Sequence, residues 1–186
     1  MAANGMTFVK IPGTSFEMMT TPVTRGDWHE VMGNMVPGKG KFERSDEHPV
    51  ESVAMREADA FCQKLNFKKD GYRYRLPTKE EWMHACKGGL VDVVYGPPLE
   101  IGWFMENSDQ QTHPVGRKTP NGYGLYDMLG NVNEWTTSPG WRDRIACGRS
   151  FEDFGKLIGS LQVTFLNANT KSPTVGFRVI REVWDG

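Results

Sequence analysis

Charge of one sign is missing from this sequence. Its 22 Lys and Arg nearly balance 23 Asp and Glu, leaving a net charge of −1 over 186 residues. No global field therefore draws it to nucleic acid or to an anionic membrane, and no run of Lys or Arg exceeds a pair. Long hydrophobic runs are missing as well. No stretch approaches the ~18 apolar residues of a membrane span, and the opening MAANGMTFVK lacks the apolar core of a signal peptide. The chain is thus expected to be soluble and cytoplasmic as synthesised, with no nucleic-acid partner and no membrane insertion. Cysteine is scarce: Cys62, Cys86 and Cys147 are odd in number and none sits in a CxxC spacing. They read as buried free thiols of a reducing compartment. His29, His48, His84 and His113 form no HxH or HxxxH pair, so each reads as a capping, packing or surface residue rather than a metal ligand. Neither a Ser-His-Asp motif nor a Gly-rich phosphate loop is present.

What is there suits one loop-rich globular domain over residues 1–186. Hydrophobic residues make up 38% and charged residues 24%, close to soluble averages. The 21 glycines and six tryptophans point to many turns held by large aromatic anchors. Residues 6–19 read as a hairpin broken at Pro12-Gly13. Thr24, with Asp27 three residues on and Gly33 as a stop, frames a short helix. Val36 to Pro49 is polar and reads as a loop. Ala58, Phe61, Cys62 and Leu65 follow a helical stripe inside a second helix from Met55 to Asn66. A third helix starts at Thr78, whose capping box is completed by Glu81, with Trp82, Ala85 and Cys86 inward and Gly88-Gly89 as the end. No further helix is expected. TVGFRVIREVW (174–184) alternates well enough for one central strand, sharing a sheet with the first hairpin. That outline is α+β.

Six segments then carry a resemblance through their order. They are VKIPGTSFEM (9–18), TPVTRGDWHEVMG (21–33), HPVESVAMREADAFCQKLN (48–66), YRLPTKEEWMHACKGG (74–89), HPVGRKTPNGYGLYDMLGNVNEW (113–135) and VGFRVIR (175–181). Their succession resembles the formylglycine-generating-enzyme, or sulfatase-modifying-factor, family over nearly the whole chain. The resemblance implies a C-type-lectin-like fold with few regular elements and long loops. Much of the signature has a scaffold reading. Arg75 can pair with Glu81; Asn121-Gly122 and Gly124 suit positive φ in a tight reversal. Tyr123, Leu125, Tyr126, Met128 and Trp135 supply core. The family also implies a calcium site at Asp127, Gly130, Val132 and Glu134, two side chains and two carbonyls, all hard oxygen donors. Asp127 stands where asparagine is common, and a plain acidic turn is the alternative. The family's second calcium loop has no room between Asn107 and His113.

The enzymatic branch of the family uses two cysteines shortly after a Gly-Gly-Ser-aromatic segment to bind copper, and soft Cu(I) demands thiolates. Aligning Ser150-Phe151 with that segment puts Asp153 and Ile158 at the cysteine positions. No copper, no catalytic residue and no enzyme activity are therefore expected. The related sulfoxide-synthase branch needs an iron-binding histidine cluster that these scattered histidines do not form. A third branch, the variable proteins of diversity-generating retroelements, displays ligand-binding residues on the same scaffold between the Ser-aromatic segment and the terminal Gly-Phe-Arg. Here that stretch is 151–175, and its polar and aromatic mix suits an adaptable binding face. The expected ligand-binding residues are Glu152, Asp153, Phe154, Lys156, Gln162, Thr164, Asn167, Asn169 and Lys171, with Trp103 and Trp141 beside them. The plainer alternative packs Leu161, Val163, Phe165 and Leu166 as a strand with solvated polar neighbours. The expected function is a non-catalytic ligand- or receptor-binding module for a protein or glycan receptor. A phage or bacterial variable or adhesin protein, virion-associated or displayed, is the setting this branch implies. The alternatives are an oxidoreductase of atypical chemistry and a structural or assembly subunit.

Overall fold

The computed structural model describes residues 5–33, 37, 45–138, 144–159 and 163–184. The expected N-terminal hairpin is β1 (Phe8–Lys10) and β2 (Phe16–Met19), with Val9 opposite Met18. Helix α1 (Arg25–Met32) begins with the expected capping box. Thr24 Oγ1 accepts from Asp27 N–H at 3.1 Å, and Asp27 Oδ2 accepts from Thr24 N–H at 2.9 Å. Helix α2 (Met55–Asn66) buries Ala58, Phe61, Cys62 and Leu65, the predicted stripe. Strand β3 (Tyr72–Arg75) leads into α3 (Lys79–Lys87), which Thr78 and Glu81 cap and left-handed Gly88 ends. Arg75 grips Glu81 through two 2.7 Å hydrogen bonds, fixing the approach to α3. Of the loop expected over 36–49, residue 37 and residues 45–49 are described, and Pro49 bridges to Thr24.

Two expectations are corrected beyond Gly89. A one-turn helix α4 (Pro98–Ile101) and a 3₁₀ turn (Gly155–Leu157) are present where no helix was expected. Both are too short to carry a hydrophobic period, and α4 is marked only by Pro98 at its first position. The terminal segment is two strands rather than one. After β4 (Asn133–Thr136), β5 (Arg144–Cys147) and β6 (Val163–Leu166), the chain forms β7 (Val175–Phe177) and β8 (Ile180–Val183) in different sheets. One sheet runs β1-β2-β8-β3 and is antiparallel; the other runs β6-β5-β4-β7, with β4 and β7 parallel. Strands from both ends of the chain do share the first sheet. Residues 175–180 are all buried, because this stretch crosses between the sheets and meets protein on every side.

Two apolar clusters fill the interior. In the first, Trp28 stacks on Phe61 with ring centres 5.9 Å apart, and Phe177 meets Phe61 edge-to-face at 5.3 Å. Trp82, Phe104, Leu125, Met128, Ile145 and Ile158 belong to the second. Leu125, Met128 and Trp135 are buried as expected, while Tyr123 and Tyr126 are half-buried. All three cysteines are buried and free. In the reversal at 121–124, positive φ occurs at Gly124 (78°), not at Asn121 or Gly122. Gly122 is needed for space: a Cβ there would lie 2.3 Å from the Gly88 carbonyl oxygen. Asn121 docks the reversal on the end of α3, donating to Ala85 and Cys86 carbonyls at 2.8 and 3.1 Å. Those carbonyls lie in the last turn, where the i+4 donors of the helix run out. Among the described residues, no helix is long and apolar enough to cross a membrane.

Candidate functional site

Strand β5 delivers the chain into a turn in which Gly148 and Arg149 both have positive φ, 106° and 68°. Asp153 closes this turn. Its Oδ2 accepts from Ser150 N–H at 2.8 Å and from Ser150 Oγ at 2.9 Å, and Arg149 reaches Oδ1 at 3.4 Å. Ile158 is 2% exposed and packs in the second core cluster. The two positions aligned with the reactive cysteines are thus occupied by a turn-forming carboxylate and a core side chain. The nearest thiol in sequence, Cys147, lies inside β5 with Thr136 Oγ1 at 3.9 Å. Burial pushes its thiol up to about 12, which keeps it protonated and poorly nucleophilic.

The residues expected on a binding face fall into two groups. In the first, Glu152, Phe154 and Lys156 are exposed, and Lys156 Nζ sits 5.3 Å from the Phe154 ring centre. The fold adds three apolar residues that sequence reasoning did not select. Leu99 (43% exposed), Met105 (41%) and Leu157 (41%) accompany Phe154 (44%). Met105 N–H donates to the Asp153 carbonyl at 3.0 Å, and Gly155 N–H donates to Glu106 Oε2 at 3.0 Å. Gly155 lets the segments touch, since a Cβ there would stand 3.2 Å from Pro98 and 3.5 Å from Leu99. Leu99 lies in the one-turn α4 and Met105 in a turn, both too short to show a hydrophobic period, so no sequence signal marked them.

In the second group, Thr164, Phe165, Asn167 and Asn169 are exposed on β6 and the turn after it. Lys171 pairs with Glu57 at 2.7 Å, and the Ala168 carbonyl accepts from Met55 N–H at 3.1 Å. This group therefore lies over the start of α2. Val163 and Leu166 are half-buried while Phe165 is 56% exposed, so Phe165 does not pack as the plain strand reading expected. Trp103 is half-buried, and its ring is engaged by His113, stacked at 3.8 Å, and by Lys118 Nζ at 3.9 Å. Trp141, Leu161 and Gln162 lie outside the described residues.

Behind the turn sits a buried polar network. Glu134 and Arg178, both 0% exposed, pair at 2.9 Å, and Trp82 Nε1 donates to Glu134 at 2.7 Å. Arg178 also donates to the Met19 and Tyr126 carbonyls at 3.0 and 2.6 Å, joining β2 to the 120–135 segment. Asp127 is differently placed. Its Oδ2 accepts from Gly116 N–H at 2.7 Å, and Asn131 approaches Oδ1 at only 3.4 Å. Burial pushes its carboxyl up to about 6, partly offset by the Gly116 N–H and Arg178. The described residues contain no cluster of three His, Cys, Asp or Glu. Two carboxylates and two carbonyls are the oxygen donors a hard cation takes, but both Glu134 oxygens are already engaged by Arg178 and Trp82. Asp127 is the member in want of positive charge, whereas Glu134 already has Arg178.

This scaffold has known relatives. Residues 4–183 match the sulfatase-modifying factor enzyme 1-like domain, and the chain belongs to that family. It is 34% identical over 182 residues to the mouse (Mus musculus) inactive C-alpha-formylglycine-generating enzyme 2, covering 84% of this chain and 55% of that protein. It is 31% identical over 172 residues to the mouse formylglycine-generating enzyme, covering 83% of this chain and 38% of that one. The chain thus spans about half or less of these two relatives. Among solved structures, Treponema denticola variable protein 1 superposes with a TM-score of 0.76 at 24% identity, covering 97% of this chain and 92% of the other. PvdO from Pseudomonas aeruginosa gives 0.78 at 20% identity, covering 96% and 92%. These two likenesses are of fold.

Proposed function

We propose that the chain is a non-catalytic binding module on a formylglycine-generating-enzyme-type scaffold. Its receptor face is the apolar patch of Leu99, Met105, Phe154 and Leu157, rimmed by Glu152 and Lys156. The observation that carries this reading is the state of the two cysteine positions. Asp153 spends its oxygens closing the turn and Ile158 is core, so neither offers a soft ligand to copper or a thiolate to a substrate. Exposed apolar side chains gathered from two segments are what a protein- or glycan-facing patch uses. A relative described as inactive, and a fold neighbour described as a variable protein, are consistent with this use of the scaffold. Thr164, Asn167, Asn169 and Lys171 would extend the face toward α2.

Two measurements test it. The chain with copper and a sulfatase-motif cysteine peptide should leave the peptide mass unchanged; aldehyde formation would overturn the reading and favour an oxidoreductase of atypical chemistry. A protein and glycan array should then give hits that vanish with Phe154→Asp or Leu157→Asp. Hits that survive both substitutions would place the binding surface elsewhere. A calcium ion at Asp127, with the Gly130 and Val132 carbonyls and Glu134, belongs to the same proposal as a structural part. The under-compensated Asp127 carboxylate favours it. A melting temperature raised by Ca²⁺, and unmoved by it in Asp127→Ala, is the expected result.

A further inference from the structure

At the far end of α2 from the 168–171 turn lies a concavity of about 580 Å³, lined by Asn66, Lys69, Gly71, Tyr72, Arg73 and Trp184. That size suits a small molecule. Twelve residues of helix, at 1.5 Å rise each, put it roughly 17 Å from the α2 start. Its walls are tied together by the β3–β8 ladder, and Trp184 N–H donates to the Gly71 carbonyl at 2.9 Å.

Among the described residues, the pocket's lining carries two cations, Lys69 and Arg73, and no carboxylate. Among the described residues, neither Lys69 nor Arg73 forms an ion pair, whereas the nearby Arg75 and Arg181 are paired with Glu81, Glu182 and Glu17. Arg73 faces Glu182 across the ladder, a carboxylate that shares Arg75 with Glu81. Asp70, beside Lys69, accepts from the Tyr74 hydroxyl at 2.6 Å and from Tyr72 N–H at 3.3 Å. Lys69 itself has a φ of 50°, a left-handed conformation costly to any residue with a Cβ and natural to glycine. The aromatic wall is Trp184, 56% exposed, with the Arg73 guanidinium 5.6 Å from its ring centre.

These features select the ligand's chemistry. An added peptide strand is disfavoured because the outer edge of β3 is closed: Asn66 bonds both Tyr74 N–H and C=O, at 2.7 and 3.0 Å. Two cations on a chain of net charge −1 give nucleic acid too little phosphate neutralisation. We propose that this pocket binds a small ring-bearing oxyanion, its ring against Trp184 and its anionic group between Arg73 and Lys69. An acidic sugar and an aromatic phosphate share that chemistry. The site is separate from the receptor face and does not depend on it.

The full chain, ¹⁵N-labelled, tests this through the Trp184 indole N–H resonance, assigned with Trp184→Phe. It is titrated with a uronate disaccharide, with adenosine monophosphate, with their neutral counterparts and with inorganic sulfate. A saturable Trp184 shift is expected with at least one ring anion and not with its neutral counterpart; which one responds identifies the source. Loss of one charge-assisted contact in Arg73→Gln should weaken binding about tenfold. Lys69→Gly should weaken binding while leaving the melting temperature equal or higher, which a purely structural lysine would not do. The proposal is overturned if neither ring anion shifts Trp184 at millimolar concentration. It is equally overturned if Arg73→Gln and Lys69→Gly bind as the parent does, or if sulfate alone binds as tightly as the ring compounds.

Discussion

Replacing Asp127 by asparagine should stabilise the metal-free protein at neutral pH and change little in mild acid. Asp127 is buried, and burial raises its carboxyl from the usual 3.8 to about 6, with Glu134 adding to the rise and the Gly116 N–H and Arg178 opposing it. The difference of about 2.2 pH units corresponds to about 3 kcal/mol at 1.36 kcal/mol per unit. The sign follows from proton binding. A carboxyl that holds its proton more tightly when folded contributes fully below 3.8, and that contribution is lost as pH rises through about 6. Asparagine keeps an acceptor for Gly116 N–H and never ionises, so it escapes the loss. Urea unfolding in the presence of a chelator measures this directly. For a small protein with an ordinary urea slope, the midpoint of Asp127→Asn should exceed the parent's by roughly 1–2 M at neutral pH and match it near pH ~4. Calcium should raise the parent's midpoint more than the variant's, because the variant offers the ion one carboxylate fewer. If Asp127→Asn instead lowers the midpoint at neutral pH in chelator, the carboxylate is satisfied by protein groups, and both the raised pKa and the case for a cation fall.

Arg178→Met leaves Glu134 buried beside Trp82 without its counter-charge, and a loss of about 3–5 kcal/mol should appear as a collapse of the thermal transition. Adding Glu134→Gln in the same chain should recover part of it. Gly122→Ala forces a Cβ against the Gly88 carbonyl, and about 1–3 kcal/mol of destabilisation is expected by urea titration, whereas Gly124→Ala strains φ alone. Thr78→Ala removes the α3 cap and should cost about 1 kcal/mol. Phe154→Ala and Leu157→Ala, both exposed, should change stability by no more than about 0.5 kcal/mol, and a larger loss would return them to the core.

The three longer helices were legible because each is announced by neighbours in the chain: Thr24 with Asp27, the Ala58-to-Leu65 stripe, Thr78 with Glu81. The split of 174–184 was not, since its alternation is equally good for one strand or two. What divides it is Arg178, drawn inward to Glu134, a partner 44 residues away, which pulls the chain from one sheet to the other. Trp82, Glu134 and Arg178 lie in the most recognisable motifs, yet their polar groups are spent on one another and on backbone carbonyls inside the fold. Their pattern therefore speaks first of architecture. The surfaces that remain open are joined from segments with no shared pattern: Leu99 and Met105 beside Phe154, Lys69 and Arg73 beside Trp184. On the proposed binding reading, a scaffold whose motifs are used up in holding it together carries its specificity in residues that motifs do not mark. Substitutions at those positions should alter what is bound while leaving the stability of the fold nearly untouched.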